Sequence, residues 1–179
     1  NEIDAILNEI DYKNKSIIEI AQQCNHYVFT NFTYTKGITN IETTIDEILE
    51  IKKGVCQDFA ILLLQLLRST GIPSRYVSGY ICPNKNELRG EGATHAWVEI
   101  YSPKQGWLGL DPTNDIWTMD NHVKLSTGRN FNDCTLVKGT FKGLARQTLS
   151  VSVSIGYEDG RHFEEVNDVL LHEVSEELQ

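Results

Sequence analysis

The sequence predicts one domain of mixed helix and strand, helices leading and sheet following, and three observations carry that reading. Apolar residues recur at helical spacing over residues 3–28 and again over 45–51. The run Phe59 to Leu67 is apolar on nearly every face, which a surface helix would not tolerate, so it predicts a buried central helix. Beyond it, short segments rich in β-branched and aromatic residues, punctuated by Gly and Pro, read as strands.

In chain order, Ile3, Ile6, Leu7 and Ile10, then Ile17, Ile18, Ala21 and Val28, define two helices, with the period broken around Lys13-Asn14-Lys15. Phe29 to Ile41 is aromatic and Thr-rich, with Gly37 inside it, and predicts an irregular or extended connector. Thr44 and Glu47 have capping-box spacing and open a short helix expected to end at Gly54. The central helix spans Cys56 to Ser69 and stops at Gly71-Ile72-Pro73, a glycine past the last turn followed by a proline that cannot continue it. Arg75 to Ile81, Ala96 to Tyr101 and Trp107 to Leu110 are predicted strands, and the Ser102 to Gly106 break makes the last two a hairpin. Cys82 to Thr94 is polar, with Pro83, Gly90 and Gly92, and is expected to be a mobile surface loop bordering the functional cleft. Past Thr113 the signal fades until Ala145 to Ile155, a clear alternating strand, followed by an acidic tail from Glu164 to Gln179.

At 179 residues, 40% of them hydrophobic, the chain can bury one substantial core, so residues 1–179 are read as a single domain: N-terminal helices over 1–28, a core of about 30–145, and a C-terminal strand and tail over 146–179. A formal charge of −9, with sixteen scattered basic residues, excludes the clustered Lys and Arg of a nucleic-acid footprint. No apolar run approaches the roughly 20 residues needed to cross a bilayer, and Asn1-Glu2-Ile3-Asp4 has no signal-peptide character. Without an initiator Met the chain is also compatible with a fragment of a longer protein, cytoplasmic or exported with its signal removed. The four cysteines form no C-x-x-C pair and are expected to be mostly free thiols.

The thiolate is the attacking form of cysteine, and Cys56 has a setting for it: after Gly54-Val55 it opens the central helix, where unpaired N–H groups and the helix dipole favour negative charge. His95 begins a strand directly after a flexible loop, so its ring is fixed on one side and open on the other. Asp111 ends the next strand, and in a hairpin it lies beside the start of its partner, within reach of His95 as the orienting member of a triad. Asp58 is expected to cap the helix. Cys24-Asn25-His26 lacks partners at zinc spacing and is read as core packing. Trp97 and Trp107 are read as packing the sheet.

Gly54-Val55-Cys56-Gln57-Asp58-Phe59-Ala60, Leu66-Leu67-Arg68 and Gly71-Ile72-Pro73-Ser74-Arg75-Tyr76-Val77-Ser78-Gly79-Tyr80 together resemble the nucleophile segment of transglutaminase-like proteins. His95-Ala96-Trp97-Val98-Glu99 resembles their histidine strand and Trp107-Leu108-Gly109-Leu110-Asp111-Pro112-Thr113-Asn114 their aspartate strand. His122-Val123-Lys124-Leu125 and Gly128-Arg129-Asn130-Phe131-Asn132-Asp133 resemble the segment that follows in bacterial members. The resemblance covers roughly residues 30–145. It implies a papain-like α+β core, with the nucleophile at the N-terminus of a buried helix packed on an antiparallel sheet that carries the histidine and aspartate. It further implies a triad of Cys56, His95 and Asp111 and acyl transfer through a thioester. Animal members place an indole upstream of the nucleophile as an oxyanion donor; the similar place here holds Tyr34, which joins the Cys56 backbone N–H as a candidate donor.

The first functional reading is therefore hydrolysis of a peptide or amide bond in a peptide or protein substrate, with no cofactor. The second is transglutamination, in which an amine resolves the same thioester, and the third is a non-catalytic binding or scaffolding domain. Animal members require calcium, but the sequence has no D-x-D-x-D-G loop and no metal is expected. A disulfide or metal scaffold is disfavoured by the cysteine spacing.

Overall fold

A computed structural model describes residues 2–40, 43–82, 88–90, 94–135, 147–156, 158, 160 and 162–172. The chain divides into two compact units, Asn1–Cys134 and Thr135–Gln179. In the first, helices α1 (Glu2–Ile10) and α2 (Ile17–Asn31) precede a two-residue strand β1 (Thr33–Tyr34), α3 (Ile45–Ile51) and a second short strand β2 (Lys53–Gly54). The central helix α4 (Cys56–Ser69) then leads into β3 (Ser74–Ile81), β4 (Thr94–Ser102), β5 (Gly106–Asp111), β6 (Ile116–Trp117) and β7 (His122–Gly128). The second unit is an antiparallel pair, β8 (Gln147–Gly156) with β9 (His162–His172).

The predicted cap at Thr44 is formed, and a second, not predicted, stands at Ser16. Ser16 and Glu19 make a reciprocal box at the start of α2, and Thr44 and Glu47 make one at α3, each satisfying two otherwise orphaned backbone donors. α3 ends earlier than its sequence pattern suggests, because Lys52 turns left-handed at φ 50 and releases Lys53-Gly54 to pair in parallel with Thr33-Tyr34. The expected connector from Phe29 is in part helix, since α2 runs on to Asn31.

The five-stranded sheet is antiparallel in the order β6-β5-β4-β3-β7. α4 lies on one face of it and buries Phe59, Leu62, Leu63, Leu66 and Leu67 completely against Ala96, Val98 and Ile100 of β4. α1, α2 and α3 cover the rest of α4, so the predicted central helix is enclosed by helices and sheet. On the opposite face Glu99 of β4, only 6% exposed, binds Arg75 of β3 and Lys124 of β7, stitching three strands together. The sequence did not foresee β6, β7 or β9, whose residues lack a clear alternation of apolar and polar positions.

Candidate active site

The site forms where the N-terminus of α4 meets one end of the sheet. Val55 enters α4 in extended conformation, and its N–H donates to Asp58 Oδ2 at 2.8 Å. The same oxygen accepts from the Thr39 hydroxyl at 2.6 Å, so Asp58 caps the helix and also ties the connector of residues 35–40 to it. Burial pushes the Asp58 carboxyl above its ordinary value, against those two hydrogen bonds. Gly54 has to be glycine, because a Cβ there would sit 2.6 Å from Asp58 Oδ2. Cys56 is thus fixed as the first residue of α4, half-buried, with a backbone N–H that the helix does not use. Tyr34 stands directly opposite Gly54 in the β1-β2 ladder, its ring edge-on to Phe59 at 6.2 Å between centroids.

His95 and Asp111 come together as the hairpin requires. Val98 pairs with Leu110, which brings Asp111 level with Trp97 and two residues from His95. His95 Nε2 lies 2.9 Å from Asp111 Oδ2, and both side chains are fully buried. Burial alone would lower the His95 pKa, but hydrogen bonding and charge from Asp111, with a further contribution from the Cys56 thiol, outweigh it and hold the ring well above the ordinary imidazole range. Nδ1 faces no hydrogen-bond partner of ordinary geometry among the described residues. No formed hydrogen bond therefore joins Nδ1 to Cys56; catalytic hydrogen bonds are often long before substrate binds.

Asp111 receives four donors. Oδ1 accepts from the Thr113 N–H at 2.9 Å, and Oδ2 from His95, from Asn114 Nδ2 at 2.7 Å and from His122 Nε2 at 3.2 Å. Burial opposes its charge, but His122, His95 and Asn114 together depress the carboxyl far below the usual carboxylate range. In the sequence Asn114 and His122 stand within longer motifs, and no local spacing marks either as a partner of Asp111.

Asn114 also reaches the loop that precedes β4. Its Oδ1 accepts from the Arg89 N–H at 2.8 Å, and its Nδ2 donates to the Arg89 carbonyl at 3.1 Å. Beside it Gly90, at φ +84, packs against the imidazole so closely that a Cβ would stand 2.6 Å from His95 Nδ1. The described part of the expected border loop, Leu88 to Gly90, therefore does adjoin the site; residues 83–87 and 91–93 lie outside the described residues.

Of the remaining candidates, Asn25 and Trp97 border this cluster, and Asn25 Nδ2 donates to the Asp111 backbone carbonyl at 3.4 Å. Cys24 is buried in the core with its thiol pushed up to about 12 by burial, Asn25 is buried beside it, and His26 is exposed and binds Asp115. All four cysteines are free thiols, and no group of three metal-ligating side chains occurs among the described residues. Trp97 packs the sheet as expected, stacked on His95 and edge-on to His122. Trp107 does not: at 41% exposure it lies on the outer face with Tyr101 beside it and the Arg75 guanidinium 4.0 Å over its ring. Its position near the free end of the β4-β5 hairpin, opposite Tyr101, leaves it without a covering layer.

A half-buried cysteine opening an enclosed helix, with a histidine and aspartate hydrogen-bonded on an adjoining antiparallel sheet, is the architecture of papain-like thiol-enzyme folds. A model of the transglutaminase-like superfamily matches residues 4–112, and the chain belongs to that superfamily. An uncharacterised protein of Mycobacterium tuberculosis is 35% identical over 150 residues, covering 79% of this chain and 48% of the relative. A Pseudomonas aeruginosa protein-glutamine gamma-glutamyltransferase is 33% identical over 105 residues, covering 56% of this chain and 16% of that protein. The chain thus spans less than half the length of either relative. Among solved structures, a candidate cysteine protease from Cytophaga hutchinsonii superposes with a TM-score of 0.65 at 23% identity, covering 96% of this chain and 51% of the other, which shows the shared fold. Among the described residues no helix is long and apolar enough to cross a membrane.

Proposed function

We propose that the chain is a thiol hydrolase of peptide or amide bonds that works through an acyl-enzyme on Cys56. The observation that supports this reading is the buried 2.9 Å hydrogen bond from His95 Nε2 to Asp111, which leaves Nδ1 as the ring nitrogen without a hydrogen-bond partner among the described residues. In this reading the Cys56 sulfur, as thiolate, attacks the substrate carbonyl carbon, and His95 as imidazolium donates a proton to the departing amine, leaving a thioester. His95, now neutral, takes a proton from water, whose oxygen attacks the thioester and releases the acid, restoring the Cys56 thiolate and the His95 imidazolium. Asp111 keeps the imidazole in register and stabilises its charged form. The backbone N–H of Cys56 meets the tetrahedral oxygen, with the Tyr34 hydroxyl as the candidate second donor, since β1 sets Tyr34 against the residue two before the nucleophile.

The relationship to the Pseudomonas glutamyltransferase favours a second outcome for the same thioester, attack by a lysine amine in place of water. Intact-mass analysis after incubation with a panel of glutamine-, asparagine- and peptide-amide donors, with and without an alkyl amine, tests both. An acyl adduct on Cys56 that resolves to acid supports hydrolysis, and one that resolves to the amine's amide supports transfer. No adduct with any donor, or an adduct that persists in Cys56→Ala, overturns the proposal.

A further inference from the structure

The structure places one more residue on the Asp111 carboxylate than a triad needs. His122 is the first residue of β7, on the far side of β3 from β4, yet its imidazole reaches Asp111 Oδ2 at 3.2 Å and is itself fully buried. Gly79 of β3, paired with His95, has no room for a side chain: a Cβ there would meet the Val123 carbonyl and lie 2.6 Å from the Trp97 ring. Trp97 fills that space and stands edge-on to His122 at 5.4 Å.

The tautomer of His122 follows from its other nitrogen. Nδ1 accepts the Met119 N–H at 3.1 Å, in a turn closed by the bond from the His122 N–H to the Met119 carbonyl at 2.9 Å. A nitrogen that accepts carries no proton, so in the neutral ring the proton is on Nε2 and is donated to Asp111. Met119 thereby fixes His122 as a neutral donor, whereas His95, with no such acceptor role, remains available for proton transfer.

We infer that His122 is a positioning residue of this enzyme: locked as the Nε2–H tautomer, it holds Asp111 ionised and aims its Oδ2 at His95. The assignment rests on the reading of Cys56, His95 and Asp111 as the reacting set. The groups facing Asp111 are His95 from β4, His122 from β7, Asn114 and the Thr113 amide from its own turn, and Asn25 of α2 on its carbonyl at 3.4 Å. Among the described residues no lysine or arginine forms an ion pair with it, so the charge is held by hydrogen bonds and the two histidines. Losing a donor to the charged form moves a carboxyl pKa upward.

The test uses the whole chain, labelled at Asp carboxyl carbon and imidazole nitrogen, observed by NMR across pH. In the wild type the His122 signals should show a protonated Nε2 and a bare Nδ1, and Asp111 should stay ionised to the lowest pH at which the chain is folded. In His122→Phe, which keeps a ring against Trp97 and removes the donor, Asp111 should take up a proton inside that window. His122→Gln, whose amide can stand in for Nε2, should restore the wild-type titration. On whichever amide donor of the panel above loads Cys56, His122→Phe should acylate about tenfold more slowly with KM unchanged, the loss expected for one hydrogen bond to a charge, and His122→Gln should recover most of the rate. A proton on Nδ1 in the wild type, or an Asp111 titration unmoved in His122→Phe, overturns the inference while leaving the proposed reaction intact. Failure of Cys56 to be acylated by any donor removes the reaction and leaves His122 a structural ligand of Asp111.

Discussion

At the scale of single residues, the site sets Cys56 apart from the other three thiols. Cys24 and Cys134 are buried in the core, and burial pushes the Cys24 thiol up to about 12, whereas Cys56 is partly exposed beside an imidazole. Brief iodoacetamide treatment at neutral pH followed by peptide mapping should therefore label Cys56 first; earlier labelling of Cys24, Cys82 or Cys134 would speak against its role. Removal of the reacting groups should be graded. Cys56→Ala should abolish acylation, His95→Ala should come close to it, and Asp111→Ala should cost about 10²–10⁴-fold, because the aspartate only orients and stabilises the imidazole. The double change at His95 and Asp111 should be little worse than His95→Ala alone, which single-turnover rates would show. The buried pair should also appear in stability. His95 is raised in the folded state, so its contribution is fully present below the ordinary imidazole value of about 6.5 and is lost as pH rises toward the raised value. Asp111 is depressed, so its contribution is present above the ordinary carboxyl value of about 3.9 and is lost only in stronger acid. Urea unfolding of wild type against Asp111→Asn should show the wild-type advantage greatest between those values and shrinking on the alkaline side.

At the scale of elements, three strand ends and one helix start converge, and the small residues among them are requirements of packing. Gly79 is the sharpest case: it sits in β3 at a register shift against β7, facing the Trp97 ring that supports both histidines. Gly79→Ala should cost about 2–4 kcal/mol by overpacking, measured by denaturant unfolding, and should slow acylation by displacing Trp97. Wild-type stability in that variant would mean that the sheet gives way without strain. Much of this level was legible beforehand. The capping box at Thr44, the enclosed α4 and the β4-β5 hairpin follow from local spacing and from the rule that neighbouring strands joined by a short turn pair antiparallel. β7 was not legible, because its residues Val123, Lys124 and Leu125 are all exposed and carry no alternation.

At the scale of the whole molecule, the large cluster of buried side chains is drawn entirely from residues up to Cys134, which also contain Cys56, His95, Asp111 and His122. A chain ending at Cys134 should therefore unfold cooperatively and keep the Asp111 titration of the full protein; loss of cooperative unfolding would mean that residues 135–179 complete the fold. What the sequence determined alone was the family, the helix that presents Cys56, and the hairpin that sets Asp111 beside His95, because each depends on residues near one another along the chain or on a motif with fixed spacing. What only the tertiary structure decided was the rest of the carboxylate's surroundings. His122 approaches Asp111 from a strand on the other side of β3, and Asn114 joins Asp111 to the loop at Arg89. Contacts of that kind arise from sheet order and from the turn after β5, which no periodicity along the chain records.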